Sequence, residues 1–101
     1  MSLPQNLNCN GFIISLHCQK AIDLRNILLE YVIETVEYGE TISVYNNDKP
    51  FPSKLILKFV NGNPLHVVVA QNPNSLECIL ITAYKPDENI WELNFKLKIK
   101  N

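Results

Sequence analysis

At Gly39 the hydrophobic pattern of this chain changes period. Before it, Leu29, Val32, Ile33 and Val36 recur three and four residues apart, with Glu30, Glu34 and Glu37 on the opposite side. That is the stripe of a helix laid on a core. After it, Thr41-Ile42-Ser43-Val44-Tyr45 alternates as a half-covered strand does. A chain that turns from helical to twofold period and does not turn back has its helices and strands segregated, which is the α+β class. Gly39 itself stands where a left-handed C-terminal cap is expected.

The remaining elements follow from the same reasoning. Ser15 precedes His17, Ala21 and Leu24 at helical spacing, so a first helix is expected over 16–25 with Ser15 as its N-cap, and the second over 27–38. Strands are expected over 41–45, 54–60, 65–70 and 77–84, punctuated by Asn61-Gly62-Asn63 and by Gln71-Asn72-Pro73-Asn74-Ser75. The stretch Asp48-Lys49-Pro50-Phe51-Pro52-Ser53 is a stiff connection, because each proline fixes its own φ and keeps its predecessor out of the helical region. The expected fold is therefore two N-terminal helices packed on one face of a mostly antiparallel four-stranded sheet. Residues 1–10 form a flexible N-terminal arm and 11–101 a single α+β domain, with Phe12-Ile13-Ile14 docking as a short extended piece.

With 101 residues there is room for one core and no second domain, and 47% hydrophobic with 19% charged residues is globular composition, not that of a disordered chain. A net charge of −1 argues against a coat for duplex DNA, which needs a broad basic footprint. No apolar run reaches the ~20 residues of a membrane span, so no membrane partner is expected and the protein reads as cytoplasmic. Cys9, Cys18 and Cys78 are an odd number at wide spacing, without the rhythm of a zinc site, and read as reduced thiols. Neither a metal nor a cofactor is expected.

Pro64-Leu65-His66-Val67-Val68-Val69-Ala70 places one imidazole in an apolar strand. Register decides where it points, since a shift of one residue exchanges the faces of a strand. A three-residue Asn61-Gly62-Asn63 loop sets Lys58 opposite His66, gathers Leu55, Leu57 and Phe59 with Leu65, Val67 and Val69 under the helices, and leaves His66 on an open face. A two-residue Asn61-Gly62 turn sets His66 against Leu57 instead. The first segregates polarity better and is the register expected. A lysine beside His66 would favour the neutral imidazole that serves as a general base.

His17, Arg25 with Ile27, Gly39-Glu40, Asp48-Lys49-Pro50 with Pro52-Ser53, Pro64-Leu65-His66-Val67-Val68 and Tyr84-Lys85-Pro86-Asp87 followed by Trp91 together resemble the DUF4258 family of small prokaryotic domains of unknown function. The resemblance runs from about Ile14 to Phe95. Its members look like compact relatives of the RelE and barnase type of ribonuclease, often encoded beside zinc-finger antitoxin-like proteins. Two departures stand out: Ala21 where members usually have arginine, and Arg25-Asn26-Ile27 where they usually read Arg-Gly-Ile. Asn can adopt the left-handed conformation that Gly supplies there.

The resemblance implies the toxin half of a toxin-antitoxin pair, with RNA as substrate and a zinc-finger antitoxin-like protein as partner. In a metal-independent endoribonuclease of this kind, His66 and His17 would serve as base and acid, in either order, and Tyr84 would stack or donate a proton. Arg25, Lys49 and Lys58 would meet the phosphate. The competing expectation is a non-catalytic interaction module in which Trp91, Phe95 and the open sheet face bind a protein.

Overall fold

Seven elements follow one another in the computed structural model, which describes residues 7–99: β1 (Phe12–Ile14), α1 (Leu16–Leu24), α2 (Leu29–Tyr38), β2 (Glu40–Tyr45), β3 (Ser53–Val60), β4 (Asn63–Gln71) and β5 (Cys78–Tyr84). The strands form one sheet in the order β1-β5-β4-β3-β2, parallel between β1 and β5 and antiparallel elsewhere. There are five strands and not four. The fifth is β1, where the short extended piece at Phe12 pairs with Cys78 and continues to Ile14 beside Leu80. No helix among the described residues is long and apolar enough to cross a membrane.

Ser15 caps α1, its Oγ accepting from the Cys18 N–H at 3.0 Å, and the same hydroxyl donates to the Ile81 carbonyl at 3.2 Å. At the other end the Arg25 guanidinium donates to the Ala83 carbonyl at 2.8 Å. The helix is thus fastened to β5 at both ends. Asn26 then takes φ 54°, the left-handed turn expected of it. Gly39 ends α2 differently from expectation, in an extended conformation with φ −83° and ψ 179°. A Cβ there would lie 2.4 Å from the Thr35 carbonyl oxygen and 2.7 Å from that of Leu57. Close approach of α2 to β3, not a left-handed cap, is what requires glycine.

The β3–β4 turn corrects the expected register. Asn61 and Gly62 both have positive φ, 52° and 82°, and Val60 pairs with Asn63, so the loop has two residues. Two consecutive left-handed residues twist the chain in the sense that the flanking strands already follow. Leu57 therefore lies opposite His66, and Lys58 opposite Leu65. Ile56, Val60, Leu65, Val67, Val69 and Leu80 form the buried cluster with Cys18 and Ile22 of α1 and Val32 and Val36 of α2. Leu55, Leu57 and Phe59, expected in that cluster, share the other face with His66. Lys58 is on the helix side, where it meets Glu34 of α2 at 2.8 Å.

Residues 9–11, just before β1, are tied down. Asn10 N–H donates to the Leu76 carbonyl and Cys78 N–H to that of Gly11, which brings Cys9 to Cys78, and the two form a disulfide. The expectation of three reduced thiols fails here. A separation of 69 residues carries no local signature of pairing; only the parallel docking of β1 on β5 reveals it. Cys18 stays a free thiol, buried in the core, and burial pushes its pKa up. Of the expected arm, residues 7–10 are thus partly anchored, and residues 1–6 lie outside the described residues.

After β5 the chain turns at Asp87 and folds a small irregular hairpin, with Trp91 bridged to Lys98 and Glu92 N–H donating to the Leu97 carbonyl. This hairpin covers one end of the face opposite the helices. Trp91 is buried beneath it, and Phe95 meets Phe59 edge to face at 6.0 Å.

Candidate active site

Pairing across four strands places Glu40, Leu57, His66 and Tyr84 in one row on the face away from the helices. The next row carries Ser43, Leu55, Val68 and Thr82. Glu40 at the edge takes Lys96 of the hairpin at 3.1 Å, which fastens the hairpin across the first row. His66 beneath it is wholly buried, its ring edge-on to Trp91 at 4.5 Å and to Tyr84 at 5.2 Å between centroids.

Both imidazole nitrogens are satisfied: Nε2 lies 2.8 Å from the Phe95 carbonyl oxygen and Nδ1 3.1 Å from the Tyr84 hydroxyl. A carbonyl can only accept, so Nε2 carries the proton. In the neutral ring Nδ1 is then an acceptor, and the Tyr84 hydroxyl donates to it. The result is a directed chain from Tyr84 through His66 to a backbone carbonyl, with a hydroxyl at its outer end. Phe95, which supplies that carbonyl, has φ 58°. A bulky residue in the left-handed region is uncommon and is held there by its surroundings.

Burial lowers the His66 pKa, and the Phe95 carbonyl, which favours the protonated ring, offsets part of that. Burial raises the Tyr84 pKa, and Tyr45 on β2 pushes it the same way, since two phenolates would repel. Both members of the pair are therefore neutral near pH 7. The unfolded chain, with an imidazole pKa of about 6.5, binds protons at pH values where folded His66 does not. Stability must fall as pH falls through that value and level off below the folded pKa. Thermal unfolding between about pH 8 and pH 5 is expected to show this loss, and His66→Gln to flatten it; an equal acid loss in both proteins would contradict the buried neutral ring.

Of the other foreseen residues, Arg25 has its guanidinium held by the carbonyl of Ala83, which precedes Tyr84 in the chain. His17 is exposed on α1, whose buried residues Cys18, Ala21 and Ile22 turn to the sheet. The sheet thus separates the helix layer from the His66 face. Lys58 is on the helix side with Glu34, and Lys49 is exposed in the loop before β3, where Ser53 Oγ donates to Asp48. Ala21, which replaces the arginine of the resembled family, is buried and leaves α1 without that cation.

A family model for a domain of unknown function, DUF4258, matches residues 14–85. The chain belongs to this family. The matched region contains both helices, β2 to β5, His66 and Tyr84, and it ends before the hairpin that closes over His66. No curated protein and no solved structure matches the chain.

Two parts of the site escaped the sequence. Phe95 acts through a backbone carbonyl, which no side-chain pattern announces. Trp91 was visible as an aromatic anchor, but not that it would anchor onto the imidazole. Among the described residues no group of three or more His, Cys, Asp and Glu could hold a metal ion.

Proposed function

We propose that this protein is a metal-independent endoribonuclease of the toxin kind, acting on the sheet face that carries His66 and Tyr84. The observation that carries the reading is the orientation of the pair: a hydroxyl donating to an imidazole whose far nitrogen is fixed by a carbonyl. That is the logic of a nucleophile-activating relay, with the Phe95 carbonyl in the orienting role. Tyr84 Oη accepts the proton of a ribose 2′-hydroxyl while its own proton passes to His66 Nδ1. The imidazolium so formed keeps its Nε2–H bond to Phe95. The 2′-oxygen attacks phosphorus and the bond from phosphorus to the 5′-oxygen breaks, leaving a 2′,3′-cyclic phosphate. The 5′-oxygen takes a proton from water, and the imidazolium proton returns through Tyr84 to the hydroxide so formed, restoring neutral His66.

Arg25, held by the Ala83 carbonyl at the end of β5, is the foreseen cation we assign to the phosphate, and Lys85 follows Tyr84 in the chain. The kinship with RelE and barnase ribonucleases, a zinc-finger antitoxin-like partner and a cytoplasmic site of action belong to the same proposal. Induced expression in a bacterial host tests it. Wild type is expected to arrest growth and fragment RNA, and Tyr84→Phe to do neither; a harmless, folded wild type with intact RNA would overturn it.

One observation favours a second reading, a non-catalytic interaction module. Ile90, Leu93, Leu97 and Ile99 of the C-terminal segment are all exposed, Leu93 at 92%. Exposed apolar side chains gathered in one short segment suit a protein partner.

A further inference from the structure

A pocket of about 130 Å³ opens between the α1–α2 turn and the β3–β4 hairpin. Its polar rim is made of carboxamides, Asn26, Asn61 and Asn63, with the Tyr31 hydroxyl and the Lys85 ammonium; Ile27 and Leu65 line its apolar side. None of its lining residues is acidic. Asn61 Nδ2 donates to Tyr31 Oη at 2.9 Å and Asn63 Nδ2 to the Asn61 carbonyl at 3.4 Å, so two of the amides are oriented. The Asn26 amide and the Lys85 ammonium have no side-chain partner among the described residues.

Each feature limits the ligand. Apolar cavities of about 150 Å³ hold one benzene-sized ring, so the pocket takes one small planar group. A carboxamide offers a donor and an acceptor in one plane, which is how asparagine meets the edge of a base. A lone ammonium without a carboxylate beside it favours an anionic substituent on that ring. We propose that this pocket binds one nucleotide, its base between the asparagine amides over Ile27 and Leu65 and its phosphate at Lys85.

Lys85 follows Tyr84 and Leu65 precedes His66, so the pocket lies at the same end of β4 and β5 as the relay, on the other face. An RNA strand bound there would turn around the end of the sheet, with a neighbouring nucleotide at Tyr84. The strand depends on the ribonuclease reading; the base pocket does not.

The test is an amide-detected NMR titration of the full chain with adenosine and uridine 5′-monophosphates, ribose 5-phosphate, and a 2′-O-methyl trinucleotide that cannot be cleaved. Mononucleotides are expected to move the side-chain amides of Asn26, Asn61 and Asn63, and ribose 5-phosphate to leave them in place. Asn26→Gly keeps the left-handed turn while removing the amide, and is expected to weaken binding about tenfold. Lys85→Gln should weaken the 5′-monophosphates more than adenosine and uridine titrated beside them.

Response to the trinucleotide alone also supports the pocket and identifies the source as a strand. No shift with any base-bearing ligand, or equal shifts with ribose 5-phosphate, overturns it. Shifts without RNA cleavage would leave the pocket standing and remove the ribonuclease, and cleavage without shifts would do the reverse.

Discussion

Tyr84→Phe is expected to lower RNA cleavage by about two to four orders of magnitude, the usual contribution of a positioned proton acceptor. The substitution keeps the ring against His66 and removes only the hydroxyl that stands between Nδ1 and the substrate. It also leaves Nδ1 without a donor in a buried site, at a cost of about 1–3 kcal/mol. Circular dichroism and urea unfolding must therefore accompany the rates, so that loss of activity is read on a folded protein. The pH profile separates relay from scaffold. Wild type should lose rate as pH falls and His66 becomes protonated, because a protonated Nδ1 cannot accept from Tyr84. A folded Tyr84→Phe that cleaves at the wild-type rate contradicts the relay.

Cys9→Ser is expected to cost about 2–4 kcal/mol of stability. The disulfide to Cys78 closes a loop of 69 residues in separation, about two thirds of the 101-residue chain, and a cross-link over so long a span removes much freedom from the unfolded chain. For a domain of this size each kcal/mol moves Tm by roughly 4–8 °C, so the loss is easily seen. Wild type in reductant should unfold with Cys9→Ser, and oxidised wild type well above both. Equal midpoints in all three would show that the Cys9 link contributes nothing. The result bears on where the protein works, because a reducing compartment would present the chain with both thiols free.

The helices and four of the strands were legible because each rests on local physics: the stripe of Leu29, Val32 and Val36, the Ser15 cap, the alternation after Gly39. The start of α2 was not, since Ile27 and Leu28 continue the apolar stripe but lie in the turn before Leu29. The face of His66 was foreseen, but with the wrong neighbours. A three-residue loop segregates polarity better, yet Asn61-Gly62 alone supplies both left-handed residues, and the actual turn moves Lys58 to the helix side. Lys58 reaches Glu34 there, so a lysine next to leucines in the pattern was no obstacle. The openness of the His66 face was misjudged for another reason. Its cover is a hairpin without regular structure, held by Trp91, a left-handed Phe95 and the Lys96–Glu40 pair, and such contacts are set by tertiary packing. Likewise Cys9 and Cys78 meet only because β1 lies parallel to β5.

Incubation of the purified full chain with a defined RNA, alone and on ribosomes, in the presence of a chelator, tests the relay chemistry most directly. The ends of the fragments are then identified. Fragments with 2′,3′-cyclic phosphate and 5′-hydroxyl ends, absent when the cleaved nucleotide is 2′-deoxy, are the expected result. RNA left intact by the folded protein in both settings, or cut equally well without the 2′-hydroxyl, would contradict it.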